Sequence, residues 1–326
     1  HSLRVEASAD IEKPSTSPRG TVTATAHADR LSAAAIDPRL PELGPLDLRS
    51  EARLDGERLV VSVLELGTAV AQLGGTGSYA LRSGATDARA RLTIPDLAPL
   101  SAFVGRGVRG DAVVDLTANG DRQGYALGWK GTVDKVAAEG VPDSASAGPI
   151  GLSGSGRWQP DGTWILGEAR VESEAGRLTG SGRGKDATAA LDLVLDLPRL
   201  GALDPSVTGA ARANASIARS EARTEARLDV TLSDVKRGAL GTRALALSAA
   251  GTLEANGAAT GSVKMDGNLA EHPLSLDGRF SRDEKGGLRV PNFQGRWASA
   301  VLDVADFAIA GEQATGHARL RVARLE

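Results

Sequence analysis

The sequence predicts an all-β protein, an elongated and curled, mainly antiparallel sheet whose apolar side forms a hydrophobic groove of the β-taco or repeating β-groove kind. Three observations carry that expectation. Apolar residues recur at every second position in run after run, which is the side-chain alternation of a strand with one apolar face. Turn dipeptides separate the runs. A strand-plus-linker unit also returns after about 100 residues.

Taken in order, Val22, Ala24, Ala26 and Ala28 alternate with Thr21, Thr23, Thr25 and His27. The same phase recurs in Ala88-Arg89-Ala90-Arg91-Leu92-Thr93-Ile94, in Ala112-Val113-Val114-Asp115-Leu116-Thr117-Ala118 and in Leu191-Asp192-Leu193-Val194-Leu195-Asp196-Leu197. It recurs again in Ala226-Arg227-Leu228-Asp229-Val230-Thr231-Leu232 and Ala318-Arg319-Leu320-Arg321-Val322. Asp55-Gly56, Asn119-Gly120-Asp121, Pro160-Asp161-Gly162, Asn256-Gly257 and Asp277-Gly278 are read as turns, because Gly reaches the positive φ of tight hairpins at no steric cost. No stretch sustains a 3.6-residue stripe, so helix is held to a turn or two, with residues 31–36 and 209–218 the short candidates.

The repeat is the most informative feature. Leu92-Thr93-Ile94-Pro95-Asp96-Leu97 and Leu195-Asp196-Leu197-Pro198-Arg199-Leu200 share the pattern apolar-x-apolar-Pro-x-Leu about 103 residues apart. Weaker copies without the proline stand at 26–31 and 320–325. A second series interleaves: Gly131-Thr132-Val133-Asp134-Lys135-Val136 resembles Val230-Thr231-Leu232-Ser233-Asp234-Val235, about 99 residues on. The expected organisation is one continuous array over 1–326 with units near 1–97, 98–200 and 201–326. Crossover linkers are expected near 32–45, 95–110 and 198–209, each opening another meander of strands. At roughly 13 residues per strand and turn, the chain would hold on the order of 25 strands, too many for a compact sheet that does not curl.

Composition supports a thin layer. Ten aromatics and one Met in 326 residues leave few of the large rings that dominate a thick core. With 38 Lys+Arg against 41 Asp+Glu, interspersed along the chain, no basic footprint for nucleic acid or an anionic membrane is present. Cys is absent, which removes disulfides and thiolate metal sites. The longest apolar segment, 59–73, is interrupted by Ser62, Glu65 and Gln72, short of a membrane span. A chain that starts at His1 and stops inside the repeated motif reads as an excised piece of something longer.

Chemical motifs are few. Gly105-Arg106-Gly107-Val108-Arg109-Gly110 spells a dinucleotide fingerprint but precedes a strand rather than a helix. Arg109-Gly110-Asp111 spells an adhesion tripeptide and reads as the start of a strand. Gly74-Gly75-Thr76-Gly77-Ser78 and Gly180-Ser181-Gly182-Arg183-Gly184 lack the helix a phosphate cradle needs and read as turns or bulges. Gly151 and Ser155 flank Ser153 at the wrong spacing for a nucleophile elbow. His1, His27, His272 and His317 form no metal-spaced pair. Trp129, Trp158, Trp164 and Trp297 are dispersed and read as packing at groove ends or turns. The chain is therefore expected to be no enzyme and to carry no cofactor or metal, leaving its apolar face as the functional candidate.

The alternating strands, the unit near 100 residues and the segment Leu269-Ala270-Glu271-His272-Pro273-Leu274-Ser275-Leu276-Asp277-Gly278-Arg279 resemble the TamB / AsmA-like family, related to the bridge-like lipid-transfer proteins. The resemblance implies an inner-membrane-anchored parent in the periplasm of a Gram-negative bacterium. This chain would be a middle stretch, with membrane contact only through segments outside it. Its implied role is to carry phospholipid acyl chains between inner and outer membranes, with an outer-membrane barrel partner of the TamA type, in support of outer-membrane biogenesis. Alternation assigns the groove lining to Leu92, Ile94, Val114, Leu116, Leu191, Leu193, Leu195, Leu228, Val230, Leu232, Leu245 and Leu247. The alternatives are a chaperone-like module that offers edge strands to unfolded outer-membrane protein, and a structural or adhesive β-solenoid with a filled core.

Overall fold

The computed structural model describes residues 3–12, 18–32, 42–101, 105, 107–138, 148–310 and 313–323. The chain divides into two compact units, His1–Glu174 and Ala175–Glu326; the repeat frame drawn from the sequence follows other boundaries. The first unit holds β1 (Leu3–Glu12), β2 (Arg19–Ser32), β3 (Glu42–Asp55), β4 (Arg58–Gly67), β5 (Gln72–Ala80), β6 (Thr86–Ile94), β7 (Val108–Asp121), β8 (Gly124–Ala138), β9 (Ile150–Trp158) and β10 (Trp164–Glu172). The second holds β11 (Arg177–Lys185), β12 (Thr188–Leu197), β13 (Val207–Arg219), β14 (Arg223–Arg237), β15 (Leu240–Glu254), β16 (Ala259–Leu269), β17 (His272–Arg282), β18 (Leu288–Trp297), β19 (Ala300–Ala310) and β20 (Gln313–Val322). In each unit every strand pairs antiparallel with the next, as an open meander. The all-β, antiparallel expectation holds.

Three details differ from expectation. Twenty strands are found among the described residues rather than about 25, because many run 13 to 15 residues. The linkers at 95–107 and 198–206 are not crossovers, since they join direct neighbours β6/β7 and β12/β13. Residues 33–41 of the first expected linker lie outside the described residues. Asp277-Gly278 is no turn: it sits in the middle of β17, and Asn119-Gly120-Asp121 ends β7, with the turn falling one step later.

The repeated linker has a local cause. Pro95 and Pro198 follow the last residues of β6 and β12 and have no N–H to continue a ladder. Asp96 then accepts the Ala98 N–H at 2.9 Å, opening a 3-10 turn over Ala98–Leu100, and the Leu97 N–H returns to the Gly110 carbonyl at 2.8 Å. In the second copy the 3-10 turn is Leu200–Ala202, and Asp204 accepts the Ser206 N–H at 2.9 Å and its hydroxyl at 2.7 Å.

The second repeat series marks a bulge. Between β7 and β8 the register slips at Gly110 (φ 133), opposite Lys135 (φ 53); between β13 and β14 it slips at Gly209 (φ 101), opposite Asp234 (φ 51). A Cβ on Gly110 or Gly209 would come within 2.7 Å and 2.6 Å of the facing carbonyl oxygens of Asp134 and Asp234. Glycine is therefore required at both positions by conformation and by space.

Candidate functional site: an uncovered apolar face

Antiparallel register places directly paired residues on the same side of a sheet, so the pairing traces rows across each unit. In the first, one row runs Val5, Ala26, Leu48, Leu66, Leu73, Leu92, Val114, Gly131, Leu152, Val171, one residue per strand. In the second, Leu178, Leu195, Ala213, Val230, Leu247, Met265, Leu276, Gly295, Leu302, Leu320 form the counterpart. The neighbouring row on the reverse side of the first unit reads Glu6, Thr25, Arg49, Glu65, Gly74, Arg91, Asp115, Lys130, Ser153, Arg170. Each unit thus has one aliphatic and one charged face.

The apolar face has no covering layer among the described residues. Among the described residues the buried apolar ones are Ala28, Val70, Ala112 and Ala175, and no large side chain is fully buried. The accessible surface is 21038 Å². A compact protein of this mass exposes about 12,600 Å², and two separate globules of half the mass about 15,200 Å². Along each row the inner members are half-buried by their neighbours on adjacent strands. The ends are open: Val5 and Leu320 are 61 % and 66 % exposed.

All twelve residues assigned from alternation fall on these apolar faces. Leu92 pairs with Val114, Ile94 with Ala112 and Leu116 with Ala90. Leu195, Val230 and Leu247 share the traced row of the second unit; Leu193 and Leu228 flank Ala215 in the next, Leu191 pairs with Ile217, and Leu232 pairs with Leu245. Ten are half-buried, while Leu193 and Leu228 are exposed.

Glycine is the part of this face that the alternation reading missed. Gly74–Ser78 and Gly180–Gly184, expected as turns or bulges, lie inside β5 and β11, and the β4–β5 register does slip opposite Thr76, between Val61 and Leu64. Gly180 and Gly182 of β11 are notches. A Cβ at Gly180 would stand 3.0 Å from Leu193 Cδ2 and one at Gly182 2.5 Å from Leu191 Cδ2, so the leucines of β12 lie across bare backbone. The Trp129 ring covers Gly154, Phe280 covers Gly261 and Phe293 covers Gly278, each directly paired with its glycine. Trp129 is therefore mid-strand packing, not a groove end. Trp158 and Trp164 do close an end: they pair across the β9–β10 hairpin, and Tyr125 stacks on Trp158 with centroids 6.2 Å apart. Trp297 ends β18 and donates its indole N–H to the Leu269 carbonyl at 3.2 Å.

The polar face is lined by ion pairs and hydrogen bonds. Its charges pair along single strands at i and i+2, as in Arg49–Glu51, Arg170–Glu168 and Arg227–Asp229, the spacing of one strand face. His27 Nδ1 lies 2.7 Å from Asp47 Oδ1, and that hydrogen bond raises its pKa above 6.5, helped by Asp29. Hydrogen bonds from Ser248 and Arg227 hold the Asp229 carboxyl below its ordinary value, and those from Ser206 do the same for Asp204. Among the described residues no three His, Asp or Glu side chains are placed to hold a metal, and no helix is long and apolar enough to cross a membrane. Arg109-Gly110-Asp111 belongs to β7, with Asp111 ion-paired to Lys135 at 3.3 Å. A hollow of about 680 Å³ is lined by Lys236, Thr242, Asn268 and Glu271 near the ends of β14 to β17. There Asn268 accepts the Arg243 N–H and the Thr242 hydroxyl, which holds the turn together.

Compared with family models, curated proteins and solved structures, the chain matches none.

Proposed function

We propose that this chain is a lipid-conducting section of a periplasmic bridge, whose aliphatic face carries phospholipid acyl chains between inner and outer membranes. The observation that supports the reading is the unbroken apolar row across ten strands in each unit, half exposed and without a covering layer among the described residues. Such a surface is far larger than a soluble monomer leaves empty. Leu, Val, Ala and Gly make it smooth, with no polar group to fix one position, so a chain slides along it while its head group stays in water. The periplasmic setting and a TamA-type barrel partner rest on the resemblance of the repeat and its flanking segments. No residue is assigned a catalytic role.

The test is purification without detergent, followed by native mass spectrometry and lipid extraction. Phospholipid at one or more molecules per chain is expected, and Leu193→Asp, a charge at an exposed mid-face position, should lower it by on the order of tenfold with little change in folding. A lipid-free, monodisperse wild type, or a Leu193→Asp variant that retains its lipid, overturns the reading.

A further inference from the structure

Register sorts the apolar face of each unit by level along its strands. In the first unit, the row from Ile11 to Trp164 crosses all ten strands at the end where odd-numbered strands lead into even-numbered ones. It holds both tyrosines of the chain and two of its four tryptophans, as Tyr79, Tyr125, Trp158 and Trp164. Thr86 pairs with Tyr79 in the same row. The corresponding row of the second unit, from Gly184 to Ala314, brings in Arg219, Thr224 and Arg282. The rows next to these, through Ala88 and Ala90 in the first unit and through Ala226 and Leu228 in the second, are uncharged. So is the row from Leu197 to Val322 on the far side of Leu195, where Trp297 gives its indole N–H to the Leu269 carbonyl. Polar-tipped side chains therefore gather at one level of each apolar face.

We propose that this level seats the head group of a bound phospholipid, whose acyl chains lie along the strands toward Leu92 in the first unit and Val230 in the second. The inference rests on the lipid-carrying reading above and adds an orientation to it. Tyr and Trp join an apolar body to a hydrogen-bonding tip, which suits them to the ester level of a lipid. Arg lays its methylenes on apolar surface and offers a planar fork that matches a phosphate. Tyr79 and Trp158 are 38 % and 43 % exposed, and Arg219 and Arg282 are exposed as well, so a ligand reaches all four. Length agrees. Thr86 stands six residues before Leu92 and Thr224 six before Val230, about 20 Å along a strand. One leaflet of a bilayer holds about 15 Å of hydrocarbon, so a chain that starts at the end row finds aliphatic surface for its whole length. A lipid held this way moves sideways from strand to strand, with its head group kept at one level.

The experiment reads the level of each end of the lipid by tryptophan fluorescence in the full chain. One variant keeps Trp158 alone (Trp129→Phe, Trp164→Phe, Trp297→Phe) and another keeps Trp129 alone (Trp158→Phe, Trp164→Phe, Trp297→Phe), with circular dichroism to check folding. Tyr125 pairs with Trp158, and Trp129 lies four residues further along β8, about 14 Å. Each variant is loaded with phosphatidylcholine brominated beside the ester or beside the terminal methyl. Trp158 should lose more fluorescence to the ester-side bromine, and Trp129 more to the methyl-side one. Separately, Arg219→Gln/Arg282→Gln should lower the ratio of phosphatidylglycerol to phosphatidylcholine bound from an equimolar mixture by about two- to threefold. Bound lipid with the opposite order of quenching, or with no difference between the two positions, overturns the head-group level and leaves lipid conduction standing. An unchanged lipid ratio overturns it for the second unit. A wild type that takes up no lipid overturns this inference and the lipid-carrying reading together.

Discussion

The two units build the same apolar face with different rings. In the first, Trp129 lies over Gly154 in mid-face, and Tyr125, Trp158 and Trp164 gather at the hairpin end. In the second, the mid-face rings are Phe280 over Gly261 and Phe293 over Gly278, and Trp297 stands at the end where β18 turns into β19. The device is constant: a glycine on one strand receives a ring from a neighbouring strand, so a bulky group packs without a covering layer among the described residues. The identity of the ring and the strand that carries it are free.

The sharpest way to break the comparison is at the bulges, where both units demand glycine. Gly110→Val and Gly209→Val should each lower stability by about 2–3 kcal/mol in urea denaturation. Equal losses would confirm that the two sites are structural equivalents, and a tolerated valine at either would separate them. Next in size are the ring notches. Gly154→Ala and Gly261→Ala should each cost about 2 kcal/mol, and much of that cost should vanish when Trp129→Leu or Phe280→Leu is added. Double-mutant cycles would then show coupling of about 1 kcal/mol, and additive losses would mean that the rings do not use the notches. Smaller is relief of the left-handed residues facing the bulge glycines: Lys135→Gly and Asp234→Gly should stabilise by about 0.5 kcal/mol.

The least of these effects concerns His27. Its pKa is raised in the fold by the Asp47 hydrogen bond, so its contribution to stability is complete below pH 6.5 and is lost as pH rises through the higher folded value. Imidazole NMR should show a midpoint above 6.5 that moves back toward it in Asp47→Asn. No such movement would place the shift on Asp29 instead.

Much of the fold was legible because alternation is a local signal. The runs containing Leu92, Val114, Leu195 and Val230 were readable as strands with a known inner face, and the Pro95 and Pro198 stops were readable as ends of strands. Reading went astray where glycine was taken as a turn or bulge residue. Gly278 and Gly182 are strand interiors, and nothing in their own neighbourhoods announces the Phe293 ring and Leu191 side chain that cover them. Row partners such as Leu48, Leu276 and Leu302 became visible only once register joined the strands.

By itself, then, the sequence determined which residues form strands, which side of each strand is aliphatic, and that the pattern returns after about 100 residues. These follow from side-chain period and from the missing N–H of proline, both properties of short segments. Tertiary structure alone decided that the linkers join neighbours and that the faces are continuous rows. It also decided that glycine notches on one strand receive side chains of the neighbouring strand. Those outcomes depend on hydrogen bonds between residues far apart in the chain, and a shift of one position in any of them would turn an entire row to the other face.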